Sequence, residues 1–225
     1  MGFNCGIVGL PNVGKSTLFN ALTETSSASA ENYPFCTIEP NIGRVALSDK
    51  RLNNLSKINN PKQIIPTYMD FVDIAGLVKG ASKGEGLGNQ FLANIREVDA
   101  ICHVIRCFDD SDITHVNNKI DPINDIEVIE TELMLSDLES LNKRISSLEK
   151  KSKGGDKEAK LNLDTITKII PQLENGIPTR EMAFSKENSL IVKQLNLLSS
   201  KPVLFVANVD ENSSINGNNY SSKLT

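Results

Sequence analysis

Gly9-Leu10-Pro11-Asn12-Val13-Gly14-Lys15-Ser16-Thr17 fits the pattern G-x-x-x-x-G-K-[ST] of a loop that cradles phosphates. Its flanks agree with that reading. Cys5-Gly6-Ile7-Val8 before it is short and mostly apolar, as a buried strand is, and Ser16-Thr17-Leu18-Phe19-Asn20-Ala21-Leu22 after it reads as the opening of a helix. In a strand–loop–helix of this kind, successive backbone N–H groups form an anion nest, and the positive end of the helix dipole adds to it. Asn12, Val13, Gly14, Lys15, Ser16 and Thr17 are the candidate phosphate contacts. Lys15 would reach the β- and γ-phosphates, and the Ser16 hydroxyl would ligate Mg²⁺.

Outward from the loop, strands alternate with helices. Strand-like runs lie near Phe3–Val8, Gly43–Leu47, Thr67–Val72, Ala100–Phe108 and Val203–Ala207. Helical stretches lie at Asp49–Ile58, capped by Ser48 or Asp49, at Asn89–Val98 and at about Lys186–Leu198. This alternation implies a parallel α/β sheet with right-handed crossovers. Residues 24–31 are rich in Ser, Ala and Thr and read as a loop, and Gly80, Gly84, Gly86 and Gly88 mark a flexible segment. From Asp125 the pattern changes. Met134, Leu138, Leu141, Ile145 and Leu148 step by four and three, as do Ala159, Leu163, Ile166, Ile170 and Leu173, with Lys153-Gly154-Gly155-Asp156 between them. Two such stripes around a glycine turn read as an antiparallel helical hairpin inserted over about residues 125–200. Pro171 is expected to kink or end the second helix.

Three further constellations suit a nucleotide site. Asp73-Ile74-Ala75-Gly76 follows a β-run; an Asp there holds Mg²⁺, and a Gly N–H meets the γ-phosphate. Thr37, between Pro34 and Pro40, stands where a loop threonine can bind Mg²⁺ when triphosphate orders the segment. Asn208-Val209-Asp210-Glu211 ends the last strand, where GTPases carry Asn-Lys-x-Asp. With Val209 for Lys and Glu211 for Asp, the pair of hydrogen bonds that reads guanine is altered, and the Asn208 amide could instead serve adenine N7 and N6. That argues against strict guanine specificity without establishing adenine.

Composition narrows the function classes. The chain has 225 residues, 39% hydrophobic and 23% charged, with a formal net charge of −4. It is not broadly basic, so a nucleic-acid contact must be a local patch, and no DNA partner is expected. No apolar run reaches the ~18 residues of a membrane span. Cys5, Cys36, Cys102 and Cys107 form no C-x-x-C pair. Cys102, His103 and Cys107 could suggest a metal, but they read better as core residues of a strand in a reducing cytosol. Lys150, Lys151, Lys153, Lys157 and Lys160 cluster at the hairpin turn, either as a phosphate-binding patch or as a solvated tip.

Together these residues resemble the YchF / Obg-like ATPase family, a branch of the Obg group of P-loop GTPase-fold proteins. The resemblance is carried by Gly9–Thr17, by Tyr33-Pro34-Phe35-Cys36-Thr37-Ile38-Glu39-Pro40-Asn41, by the glycine-rich stretch from Asp73 to Leu92 and by Asn208–Glu211, and it runs from Met1 to about Glu211. It implies a GTPase-like three-layer α/β P-loop NTPase fold with the helical hairpin inserted. It also implies a Mg²⁺-dependent ATPase that can take GTP, is cytoplasmic and associates with ribosomes, at the large subunit or its RNA. Leu77 stands where Ras-like proteins place the water-orienting Gln, and the family's loop histidine aligns with His115. The catalytic set so implied is His115, Lys15 and Gly76; the metal set is Ser16, Thr37 and Asp73; the base set is Asn208, Val209 and Glu211. Family members continue past this strand into the rest of the nucleotide domain and a TGS domain. The chain stops at Thr225, so the sequence reads as C-terminally truncated. Two alternatives remain: a strict GTPase of the Obg group, or a ribosome- or RNA-binding module without turnover.

Overall fold

The computed structural model describes residues 2–23, 41–74, 76, 87–110 and 120–224. The first strand, β1 (Phe3–Val8), is central because Cys5, Ile7 and Val8 are apolar on both faces, and all three are buried. It pairs in parallel with β3 (Tyr68–Asp73) on one side and β4 (Ala100–Arg106) on the other. β5 (Val203–Asn208) extends the sheet in parallel beyond β4. At the opposite margin β2 (Asn41–Ala46) runs antiparallel to β3, giving the order β2-β3-β1-β4-β5. The sheet is therefore mixed, not wholly parallel as the alternation of elements suggests. The reason is local: α2 (Lys50–Asn59) sits in a β2–β3 connection, and the backbone pair Leu47 N to Thr67 O closes that connection as a hairpin does. α2 starts at Asp49, whose carboxylate accepts from Arg51 N, and none of its residues is buried.

Two other helices pack on the sheet, and the first leaves the phosphate loop. α1 (Lys15–Thr23) leaves the Gly9–Ser16 loop and seats Phe19 in the core. α3 (Leu87–Glu97) buries Phe91, Leu92 and Ile95 beside the sheet. Its C-terminal carbonyls are held by a lysine from across the chain. Lys201 Nζ donates to Arg96 O at 3.1 Å and Val98 O at 2.6 Å, and burial lowers its pKa.

The hairpin forms as the two stripes require. α4 (Pro122–Lys153) and α5 (Lys157–Glu174) meet at Gly154 and Gly155, and Gly155 adopts φ +89°. Asp156 caps α5 by accepting from Glu158 N and Ala159 N. Met134 and Leu141 from α4 and Ile166 and Leu173 from α5 share a second core with Ile191, Val192 and Leu195 of α6 (Lys186–Leu195). The first turns of α4 instead give Ile129 and Leu133 to the sheet core, so one helix belongs to both cores. α5 continues through Pro171 to Glu174. Only the last turn lies beyond the proline, and the N–H groups of Asn175 and Gly176 close it on Pro171 O, Gln172 O and Leu173 O.

α4 is fixed to the approach of β5 through one buried carboxylate. Asp137 accepts from Leu198 N (2.8 Å), Ser199 N (2.8 Å) and Ser199 Oγ (2.7 Å). Thr179 joins this cluster through its hydroxyl, 2.9 Å from Ser199 Oγ. Burial raises the Asp137 pKa, and the three donors from Ser199 and Leu198 oppose that shift.

Candidate nucleotide-binding site

The C-terminal ends of β1, β3 and β5 converge on the Gly9–Ser16 loop. Gly14 shows why this loop is glycine-rich. Its φ is +96°, and a Cβ there would meet Asn208 Nδ2 at 2.4 Å. Gly9 is as constrained, since a Cβ would lie 2.5 Å from Val104 O. Asn12 also takes positive φ, at 61°, as asparagine tolerates in a tight turn.

Lys15 is buried, and its Nζ donates to Leu10 O at 2.8 Å. Burial lowers its pKa to about 8, with the Asp73 carboxylate opposing. Asp73, at the end of β3, is 3% exposed; its Oδ2 accepts from Ser16 Oγ at 2.9 Å, while its buried Oδ1 has no hydrogen-bond partner among the described residues. Burial raises the Asp73 pKa, and the Ser16 hydroxyl and Lys15 charge pull it back. A hydroxyl and a carboxylate in contact, one carboxylate oxygen orphaned and a cation beside them, form an oxygen donor set that fits Mg²⁺. Gly76 lies against the same loop: a Cβ there would stand 3.0 Å from both Lys15 Nζ and Pro11 N. The structure thus brings Lys15, Ser16, Asp73 and Gly76 together. Thr37, Leu77 and His115 lie outside the described residues.

Asn208 closes the other side of the loop. Its Nδ2 donates to Val13 O at 2.9 Å, so one N–H of this amide holds the phosphate loop. Val209 is half-buried and Glu211 exposed. Asp210, between them, accepts from Ser213 N and Ser213 Oγ and is committed to a turn. Glu211 is therefore the carboxylate left facing outward at this strand end.

Cys102, His103 and Cys107 do not form a metal centre. Among the described residues no three His, Cys, Asp or Glu side chains group to hold an ion. Burial pushes the Cys102 and Cys107 thiols up to about 11, and it lowers His103 to about 4, with Arg180 and Lys15 adding to that effect. His103 packs its ring 5.6 Å from that of Phe205 and stays neutral near pH 7. The hairpin-tip lysines are exposed on α4 and α5. No described helix is long and apolar enough to cross a membrane. Sequence reasoning missed Asn218 and Arg106. Asn218 Nδ2 donates to Cys107 O at 2.7 Å, and Arg106, read only as a break in an apolar strand, is 1% exposed at the end of β4.

Comparison with known proteins agrees with this geometry. Residues 4–136, more than half of the chain, match the family model described as 50S ribosome-binding GTPase. The chain is 60% identical over 211 residues to a Haemophilus influenzae protein named ribosome-binding ATPase YchF, and 56% identical over 211 residues to one of that name from Bacillus subtilis. Each alignment covers 94% of this chain, but the chain spans only 58% and 57% of those relatives' lengths. The solved Schizosaccharomyces pombe YchF GTPase superposes with a TM-score of 0.80 at 40% identity, covering 99% of this chain and 61% of that one. With a family model matched over more than half of its length, around the phosphate loop and the Ser16–Asp73 pair, the chain belongs to the 50S ribosome-binding GTPase family.

Proposed function

We propose that the protein binds and slowly hydrolyses ATP, with Mg²⁺, while associated with the ribosome. The observation that carries this reading is the Lys15–Ser16–Asp73–Gly76 cluster beneath a glycine loop at a helix N-terminus. The names of the relatives supply the ribosome and the adenine nucleotide. Lys15, released from Leu10 O, would pair with the β- and γ-phosphates, and the loop N–H groups would hold the remaining oxygens. Ser16, Asp73 and Thr37 would hold Mg²⁺, which when bound neutralises charge on the phosphates. The Gly76 N–H would mark the γ-phosphate. Leu77 has no group to orient a water, so that work falls to His115.

ATP is favoured because Glu211 and Val209 replace the residues that read guanine. The rival, strict GTP use, draws on the family description and on the fission-yeast relative's name. Competition of ATP and GTP for the purified protein decides between them. ATP is expected to bind at least as tightly, and a tenfold preference for GTP, about 1.4 kcal/mol, overturns the adenine reading.

The ribosomal partner is proposed to be large-subunit RNA, met by the lysines at the hairpin turn, and the site of action to be cytoplasmic. Charge reversal at Lys151, Lys153 and Lys157 is expected to weaken co-sedimentation with purified ribosomes and to flatten its salt dependence. Unchanged binding with an unchanged salt slope removes the RNA contact.

A further inference from the structure

A groove runs between α3 and the middle of α4, and it shares no residue with the nucleotide site. It encloses about 720 Å³, within the roughly 300–1,000 Å³ of small-molecule sites. Its walls are tied by a closed ring of side-chain bonds. Arg96 Nη2 of α3 donates to Ser136 Oγ of α4 at 3.1 Å. The next residue of α4, Asp137, holds Leu198 and Ser199. Lys201, just beyond them, donates back to Arg96 O and Val98 O at the end of α3. The fold itself therefore sets the spacing of the two walls.

The lining is two-sided in charge. Arg96 is half-buried on the α3 wall, and Lys143 and Arg144 stand on the α4 wall. Ser136 takes one of the five donors of Arg96. Lys143 pairs with Glu139 one turn before it, at 2.5 Å. Arg144 makes no hydrogen bond or ion pair among the described residues. Two guanidinium forks are thus placed to share one anion, and a fork matches phosphate geometry in a way an ammonium does not. Between these cations lie the carboxylates of Glu97 and Glu139. Carboxylates repel a bare anion but accept hydrogen bonds from hydroxyl groups. A ligand that satisfies both sets carries a phosphate at one end and several hydroxyls at the other.

We infer that this groove is a second binding site of the protein, for a ribose phosphate unit: Arg96 and Arg144 hold the phosphate, and Glu97 and Glu139 accept from the sugar hydroxyls. The inference is independent of the ATPase reading. A free sugar phosphate and a strand of RNA both present this unit. Past Lys143 and Arg144 the groove continues into a second cavity of about 390 Å³, lined by Asn162 of α5 and Gln194 of α6. A strand could therefore follow α4 from Ser136 to Leu148, about 18 Å of helix.

The test uses the Lys15→Met chain, so that the phosphate loop lacks its cation and does not compete for phosphate. Ribose 5-phosphate and inorganic phosphate are titrated calorimetrically, and a labelled single-stranded hexauridylate is followed by fluorescence anisotropy. Arg144→Gln is expected to weaken binding of ribose 5-phosphate or of the hexauridylate about tenfold, the loss of one charge-assisted contact. Arg96→Gln should do the same, and the exposed Arg144 carries the test if the Arg96 variant does not fold. Inorganic phosphate, with no hydroxyls for the two carboxylates, should bind about tenfold more weakly than ribose 5-phosphate. Binding of ribose 5-phosphate that both Gln variants weaken identifies a free sugar phosphate as the ligand. Binding of the hexauridylate alone, with the same sensitivity, identifies the strand. The inference is overturned if neither probe binds or if Arg144→Gln leaves binding unchanged. It is equally overturned if inorganic phosphate binds as tightly as the sugar phosphate, or if only charge reversal at Lys151, Lys153 and Lys157 abolishes hexauridylate binding.

Discussion

Lys15→Met is expected to lower nucleotide affinity by about 100-fold or more while leaving the nucleotide-free protein no less stable, and more stable below pH 8. The two halves of this result have one cause. The ammonium is buried beneath the loop, where among the described residues it donates to one neutral acceptor, Leu10 O, at 2.8 Å, and its pKa falls from 10.5 to about 8. A fall of that size corresponds to about 3 kcal/mol of unfavourable burial when the group is charged. The unfolded chain keeps its lysine protonated up to about pH 10.5, whereas the folded one releases the proton near pH 8. The cost is therefore fully present below pH 8 and is relieved as pH rises from about 8 to 10.5, so stability climbs across that window. Methionine keeps the apolar stem and removes the charge, so the variant should gain part of this ~3 kcal/mol and lose the pH dependence, with some return lost where Asp73 forfeits its neighbour. Binding moves the other way because the ammonium pairs with phosphate oxygens in the proposed complex, and a charged hydrogen bond of this kind contributes about 2–3 kcal/mol. Isothermal titration with ATP, together with urea unfolding of the nucleotide-free protein at pH 7 and pH 10, reads both halves. A variant that binds ATP normally, or one that loses stability equally at both pH values, contradicts this account.

The second large effect is structural. Asp137→Ala is expected to destabilise the protein by about 3 kcal/mol or more, seen as a fall of about 1 M in the urea midpoint. The carboxylate is fully buried and accepts from Leu198 N, Ser199 N and Ser199 Oγ at 2.7–2.8 Å. Alanine leaves two backbone N–H groups without acceptors in a region closed to water, which costs far more than the bonds contribute when made. Because these groups lie on the turn that leads into β5, the loss should also loosen the strand that presents Asn208 to the phosphate loop. Asp137→Asn, which retains one acceptor, should lose less. An alanine variant within about 0.5 kcal/mol of wild type would show that this cluster does not hold α4 to β5.

The contrast between these two residues shows which parts of the molecule local sequence encodes. Lys15 could be read directly because a phosphate loop is a contiguous device: its glycines, its cation and the helix it opens lie within nine positions, Gly9–Thr17. The hairpin stripes were legible for a similar reason, since four-three spacing places apolar side chains on one face of each helix whatever else surrounds it. Asp73 and Ser16 were each nameable from their motifs, although 57 positions separate them and only the pairing of β1 with β3 brings them to 2.9 Å.

Asp137, Arg106 and Asn218 carried no such signal. A carboxylate in a helix, an arginine in a strand and an asparagine in a polar tail look like ordinary surface residues until packing buries the first two and aims the third at Cys107 O. The same holds for strand direction and depth. Ala100–Arg106 and Val203–Asn208 read alike as apolar strands, yet the first is buried and the second lies at the margin of the described sheet with Leu204 65% and Phe205 43% exposed. By itself the sequence determined the phosphate loop, the hairpin and the α/β alternation, because each depends on residues close along the chain. The antiparallel β2, the task of the Asn208 amide and the buried ties that position the site were decided only by tertiary structure, because they depend on which distant groups share a hydrogen bond away from water.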